Sequence, residues 1–242
     1  MKHDKTVLIT GANKGIGYET ARRLAELGMT VLVGARDRQR GEHAVARLRE
    51  RSSNVHLVML DVTDDASIAA AATDIGERFG RLDVLVNNAG VGGGGQPPSK
   101  QSIASIRTQF ATNLLGAVAV TQAFLPLLEQ APAGRIVNVS SSLGSLRLAA
   151  DPTSRIAALN ALFGYSASKT ALNAFTVRLA HELRSTNIKV NSACPGYVAT
   201  DLNQHQGPRT VEQGASIIVR LATLADDAPT GGFFDDAGEV AW

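Results

Sequence analysis

Thr6-Val7-Leu8-Ile9-Thr10-Gly11-Ala12-Asn13-Lys14-Gly15-Ile16-Gly17 joins an apolar, β-branched run to a glycine-rich turn and then to an amphipathic stretch. Ile16, Thr20, Leu24 and Leu27 recur at three- and four-residue spacing, one face of a helix, and Gly28 follows where a C-terminal glycine belongs. The turn thus lies between a first strand and a first helix, where backbone N–H groups and the helix dipole can hold a pyrophosphate. Gly11 permits the tight turn, Gly15 lets backbone approach phosphate, and Gly17 lets the helix pack against the strand. A lone glycine triplet would be a turn and nothing more. In this position it predicts a dinucleotide site that includes Asn13, Lys14 and Ile16. A P-loop is excluded, because no Gly-Lys-Ser/Thr follows.

Outward from this turn, strand-like runs recur at residues 6–10, 30–34, 55–60, 84–86, 135–139 and 189–193, separated by amphipathic stretches. Nearly continuous apolar runs such as Asp83-Val84-Leu85-Val86 suit strands buried on both faces. The expectation is an α/β fold: one doubly wound, mostly parallel sheet of Rossmann type, with helices on both faces, over the whole of residues 1–242. No linker, repeat or composition shift divides the 242 residues, and Gly92–Gly95 with Pro97-Pro98 is a loop within the domain. Lys and Arg number 24 against 22 Asp and Glu, so no global field recruits nucleic acid or an anionic membrane. Apolar stretches look shorter than the ~20 residues of a membrane span. The opening Met1-Lys2-His3-Asp4-Lys5 leads straight into a strand, and with the single Cys194 this gives a cytoplasmic expectation.

At the end of the second strand, where an NAD site normally places a carboxylate on the ribose 2′-hydroxyl, stands Ala35, followed by Arg36 and, four residues on, Arg40. With Lys14 these cations could converge on a 2′-phosphate, which favours NADPH. The alternative is a solvated basic helix face made of Arg36, Arg38 and Arg40. Asp37 falls too late to imitate the NAD carboxylate and reads as a helix N-cap.

Tyr165 and Lys169 are four apart on a predicted helix and share a face. An ammonium near a phenol favours the phenolate and should lower the tyrosine pKa from about 10. Such a tyrosine can give its proton to a carbonyl oxygen as hydride reaches the carbon. Read alone, the pair could equally be a surface Tyr/Lys pair.

The glycine turn, Asp61-Val62, Asn87-Asn88-Ala89-Gly90, Thr112-Asn113, Ser140-Ser141-Ser142, Tyr165-Ser166-Ala167-Ser168-Lys169 and Pro195-Gly196-Tyr197-Val198-Ala199-Thr200 occur in the order of the short-chain dehydrogenase/reductase family. The chain resembles that family from Thr6 to about Asp201, and its NADPH-dependent carbonyl reductases most. The resemblance implies Asn113, Ser141, Tyr165 and Lys169 as the catalytic set. Ser141 would stabilise the substrate oxygen, and Asn113 would hold a water in a proton relay to Lys169. It implies cofactor contacts from Asp61, Val62, Asn88, Ala89, Gly90, Tyr165, Lys169, Pro195, Gly196, Val198 and Thr200. Plainer roles stay open: Asp61 as a helix cap, the asparagines as turn residues, Ser140 or Ser142 in place of Ser141, and Asn113 as a brace. The implied reaction is reduction of an aldehyde or ketone by NADPH. A non-catalytic NADPH sensor is the competing class, and the intact set of four argues against it.

Tyr165 follows Ser141 at more than the family's ordinary distance, so an insert occupies residues 146–164, as it does in the carbonyl reductase group. Leu148, Ile156, Leu159, Leu162 and Phe163 could fold back over the insert's own helix and cover a face otherwise used for self-association. A monomer is expected ahead of a homo-oligomer on that ground. Cys194 lacks a partnered histidine and reads as a small buried residue. His3, His43, His56, His181 and His205 show no metal-ligand spacing, and no metal is implied.

Overall fold

In the computed structural model, which describes residues 5–159 and 162–242, β1 (Thr6–Thr10) leads through the glycine turn into α1 (Gly15–Glu26). Then come β2 (Thr30–Ala35), α2 (Arg38–Arg49), β3 (Val55–Met59), α3 (Asp65–Phe79) and β4 (Val84–Asn87). The second half runs α4 (Ile103–Phe110), a π turn (Ala111–Leu115), α5 (Gly116–Glu129), β5 (Arg135–Val139), α6 (Leu146–Ala150), α7 (Phe163–Glu182), β6 (Lys189–Ala193), α8 (Val211–Ala222) and β7 (Phe233–Phe234). The opening residues 1–4 and the insert positions 160 and 161 lie outside the described residues.

The strands form one seven-stranded parallel sheet in the order β3-β2-β1-β4-β5-β6-β7. The chain winds outward from β1 to β3, then crosses back to β4 and winds the other way. The C-terminal ends of β1 and β4 therefore flank the topological switch point, where such sheets open a crevice. Within β1, Val7 and Ile9 join one core with Leu24, Val33 and Ile217, whereas Leu8 joins another with Leu85, Phe124 and Leu128. Alternate side chains thus feed the two faces, which explains the unbroken apolar strands.

Gly28 ends α1 as expected. At φ +84° its N–H reaches the Ala25 carbonyl (3.0 Å), and the Met29 N–H reaches Leu24 (3.2 Å), a Schellman closure. Asp37 accepts from the Arg40 N–H at 2.9 Å and caps α2, as its position predicted.

Three features depart from expectation. α4, the π turn and α5 form one helical rod, Ile103–Glu129, which is long and apolar enough to cross a membrane. Its apolarity has a core explanation: Val120, Phe124 and Leu128 are fully buried against the sheet. The seventh strand was not foreseen, because two residues, Phe233 and Phe234, carry no period. The insert also falls short of a cover for its helix. Leu148 and Ile156 are half-buried, but Leu159 and Phe163 are exposed, at 48% and 44%. Local bonds hold this segment in turns: Asp151 accepts from the N–H and hydroxyl of Thr153, and Ser154 Oγ from the Ile156 N–H. The apolar cover behind the monomer expectation is therefore incomplete.

Candidate active site

The glycine turn adopts the backbone that its residues dictate. Gly11 and Gly15 have φ of +64° and +59°, where other residues are strained. A Cβ on Gly17 would run into the Asn88 amide and lie 2.9 Å from the Gly11 carbonyl. α1 starts at Lys14 with no side-chain cap and no acidic residue in its first turn, so its leading N–H groups and positive dipole end face the cleft. Such a cradle fits a pyrophosphate. Thr10 completes it, a residue not singled out in the sequence. Its Oγ1 accepts from the N–H groups of Asn88 (3.0 Å) and Ala89 (2.9 Å), and the Asn88 amide donates to the Thr10 carbonyl at 2.8 Å. Asn88, Ala89 and Gly90 are thereby tied to the turn; a Cβ on Gly11 would lie 3.1 Å from Ala89 Cα.

Beyond β2, Arg36, Arg38 and Arg40 are all exposed. Arg38 faces Glu42 at 3.6 Å and Arg40 faces Asp37 at 3.9 Å; among the described residues Arg36 makes no ion pair. Lys14 does not join them. Its Nζ lies 2.6 Å from Asp201 Oδ2, and Asp201 also meets His205 at 2.9 Å. Of the three cations expected to converge, Lys14 and Arg40 already face carboxylates, and Arg36 alone makes no ion pair among the described residues. Asp61 accepts from the N–H and hydroxyl of Thr63, which hold its carboxyl below the usual range, with a smaller contribution from Arg36. Capping of α3 belongs instead to Asp64. Val62 is buried beneath α5, where a Cβ on Gly116 would lie 2.6 Å from the Val62 carbonyl.

The π turn carries Asn113, almost fully buried. Its Oδ1 accepts from the Val91 N–H (2.8 Å), and its Nδ2 donates to the Val91 carbonyl (3.0 Å) and to Ser168 Oγ (3.0 Å). The amide is thus occupied as a brace between the strand β4 exit and α7. A Cβ on Gly90 would lie 3.4 Å from Asn113 Oδ1 and 3.7 Å from Lys169 Nζ, so both groups converge on Gly90.

Beneath these groups runs a buried polar ladder that sequence reading missed. Asn87 Nδ2 donates to Asn138 Oδ1 (2.8 Å) and to Thr121 Oγ1 (2.9 Å), Asn138 Nδ2 to Thr176 Oγ1 (2.8 Å), and Ser192 Oγ to Thr176 Oγ1 (2.9 Å). It pins β4, β5 and β6 to α5 and α7. The only signal was polar residues inside otherwise apolar strands.

Ser141 lies just beyond β5 and accepts from the Leu143 N–H at 3.2 Å, opening a tight turn. That turn lies directly on α7: a Cβ on Gly144 would stand 2.8 Å from the Lys169 backbone. Ser141 and Tyr165 come together here, and Ser141 is the serine whose hydroxyl bears on the phenol. Ser142 instead turns to Cys194. Lys169 is buried, donates to the Val139 carbonyl at 2.7 Å, and sits 5.7 Å from the centre of the Tyr165 ring.

The expected lowering of the tyrosine pKa is not what this arrangement gives. Burial pushes Tyr165 up to about 12 against the opposing hydrogen bond from Ser141, and burial brings Lys169 down to about 8. Lys169 aims its ammonium at a backbone carbonyl, so desolvation dominates both groups.

Pro195, Gly196 (φ +79°) and buried Val198 carry the chain from β6 across the glycine turn. Thr200 ends beside it, with its Cγ2 3.7 Å from where a Cβ on Gly15 would be. The glycine turn, Asn88–Gly90, Asn113, Lys169 and Thr200 thus lie against one another at the switch point.

A family profile described as short chain dehydrogenase matches residues 5–210. The chain is 43% identical over 223 residues to short-chain dehydrogenase anuI of Penicillium roqueforti (strain FM164), covering 90% of this chain and 88% of that protein. To salutaridine reductase of Papaver bracteatum it is 34% identical over 294 aligned positions, covering 96% and 94%. That alignment is longer than this chain, so the poppy enzyme carries stretches with no counterpart here. Among solved structures, NADPH-bound carbonyl reductase from chicken fatty liver matches with a TM-score of 0.87 at 30% identity, covering 98% of this chain and 99% of that one.

Proposed function

Because the chain belongs to the short-chain dehydrogenase family, we propose that it reduces the carbonyl of an aldehyde or ketone to an alcohol with NADPH, using Tyr165 as general acid. The observation that carries this reading is the meeting of Ser141 with Tyr165 and of Tyr165 with Lys169, whose ammonium lies beside Gly90, next to a turn built for a pyrophosphate. NADPH, when bound, supplies the hydride.

The residues of the chain do the rest. Gly11, Gly15 and Gly17 leave room for backbone N–H groups to hold the pyrophosphate. Arg36 and Arg40 would hold the 2′-phosphate, and a neutral ribose hydroxyl in its place would leave them unmatched. Ser141 donates a hydrogen bond to the substrate oxygen and so stabilises the charge that develops there. Tyr165, held neutral through the working pH range by its burial, gives its proton to that oxygen. Lys169, with a pKa near 8, is largely protonated at neutral pH and can return a proton toward the phenol. Asn113 braces this lysine's surroundings through Ser168 and Val91.

The test is NADPH absorbance followed with purified protein and a panel of aldehydes and ketones, each repeated with NADH. Carbonyl-dependent loss of NADPH, with much weaker use of NADH, is expected. Tight NADPH binding without turnover of any carbonyl would overturn the enzymatic reading in favour of a sensor.

A further inference from the structure

α7 presents Tyr165 in its first turn, yet it starts without a cap of its own: Leu162, at the N-cap position, makes no side-chain hydrogen bond. The missing acceptor comes from far away. The Gly164 N–H donates at 2.9 Å to Oε1 of Gln101, a residue just before α4. Gln101 Nε2 in turn faces Gln109 Oε1 at 3.4 Å, and Gln109 Nε2 donates to the Gly93 carbonyl at 2.9 Å. Both amides are buried, at 8% and 1% exposure. Gly164 has no room for anything larger, since a Cβ there would collide with Gln109 Oε1.

Two buried amides are an expensive way to fill space, because each must be desolvated and then matched. Their advantage over leucine is direction. This relay ends on the residue immediately before Tyr165. It begins at Gly93, in a stretch of glycines with φ of +127°, +151° and +93° at 93, 94 and 95 that has little conformational preference of its own. The neighbouring Gly92 lies against Leu202 in the loop beyond β6: a Cβ there would be 3.1 Å from Leu202 Cγ.

We propose that Gln101 and Gln109 are positioning residues that set the place of Tyr165 by capping α7 from outside, and that they tie this placement to the Gly93 wall of the cleft. The proposal rests on the reading of Tyr165 as proton donor, and its test keeps the two apart. Gln101→Leu removes both the acceptor for Gly164 and the donor to Gln109. Gln101→Glu keeps the first and loses the second. Gly164→Ala leaves both amides in the chain but forces Gln109 aside, which serves if Gln101→Leu does not fold.

In steady-state carbonyl reduction, Gln101→Leu and Gly164→Ala are expected to lower kcat by about tenfold to a hundredfold, the scale of a small misplacement of a reacting group, with KM and NADPH affinity nearly unchanged. Gln101→Glu should recover part of the Gln101→Leu loss. A second readout needs no turnover. Ultraviolet titration of the cofactor-free protein, differenced against Tyr165→Phe, should show the phenol moving from about 12 toward its solvated value of about 10 in Gln101→Leu and Gly164→Ala. If the titration moves while Tyr165→Phe turns out to be active, the positioning stands and the assignment of the acid fails. Unchanged kcat together with an unchanged phenol titration in both variants would reduce the glutamines to packing and overturn the proposal.

Discussion

Two helices that border the cleft begin with the same deficiency and resolve it differently. α1 starts at Lys14 and α7 at Leu162, and neither residue caps its helix with a side chain. At α1 the glycines bend the backbone so that the open N–H groups face the crevice, a place left for an anionic ligand. At α7 the N–H of Gly164 is closed by Gln101, and the end is sealed. An uncapped helix start is therefore not a site in itself. What decides is whether protein or ligand supplies the acceptor.

If the sealed end exists to hold a proton donor, the largest effect of any single substitution should fall there. Tyr165→Phe keeps the ring, the burial and the helix and removes only the transferable proton. It should lower kcat by roughly 10²–10⁴-fold while leaving NADPH affinity, measured by fluorescence or calorimetry, close to that of the parent. Near-normal turnover in the Phe protein would move the general acid elsewhere and leave α7 with no special role.

Lys169 sharpens the same contrast, because sealing that end also buries a cation. Its pKa of about 8 in the folded protein lies below the unfolded value of about 10.4. Between those limits the unfolded state binds more protons, so stability should rise with pH from about 8 to about 10, as the cost of burying the charge disappears. The gain is on the order of 3 kcal/mol by linkage, and Lys169→Met should lack it. Urea unfolding of both proteins across that window gives the comparison; parallel pH profiles would mean that the lysine is not desolvated. Lys169→Ala should also weaken both reduction and NADPH binding, which separates it from the Phe variant.

The contrast also accounts for what the sequence could tell. Gly11, Gly15, Gly17, Gly28 and Asp37 act on backbone within a few residues of themselves, so their spacing discloses their work. Tyr165 and Lys169 were visible because one helical turn separates them. Gln101 reaches Gly164 across 63 positions, Thr10 reaches Asn88 across 78 and Asn138 reaches Thr176 across 38, while Gln109 reaches Gly93 across 16, well beyond a helical turn. No local pattern marks such partners. The same limit explains the misjudged tyrosine pKa: helical spacing brought Lys169 near the ring, but the Val139 carbonyl that captures its ammonium lies on β5, 30 positions away.

At the open end, cofactor choice is the next largest effect. Arg36 is exposed and without an ion pair among the described residues, which suits it to a phosphate. Each charge-assisted contact of this kind contributes about 1.5–3 kcal/mol. Arg36→Asp should therefore move preference from NADPH toward NADH, read as the ratio of kcat/KM for the two cofactors. Equal efficiency with both in the unaltered protein would remove the 2′-phosphate from the argument altogether.

The smallest effect tests whether the open end is as open as it looks. Lys14, the cation in the glycine turn, is held by Asp201 at 2.6 Å, and Asp201 belongs to the loop that follows Thr200 across the cleft. To meet a 2′-phosphate, Lys14 has to leave that carboxylate. Both side chains are more than half exposed, so the pair is screened by solvent and its loss changes little by itself. The lysine's gain from phosphate is nevertheless reduced by whatever the pair contributed. Two consequences distinguish this competition from three cooperating cations. Lys14→Ala should cost NADPH affinity less than Arg36→Ala does, although both remove one positive charge. Asp201→Asn should strengthen NADPH binding a few-fold, and NADH binding hardly at all, because only the 2′-phosphate competes for the freed ammonium. Calorimetric titration of both cofactors into the three variants supplies the comparison. Weaker NADPH binding in Asp201→Asn would show that the carboxylate orients Lys14 toward the cofactor, making the pair part of the cradle.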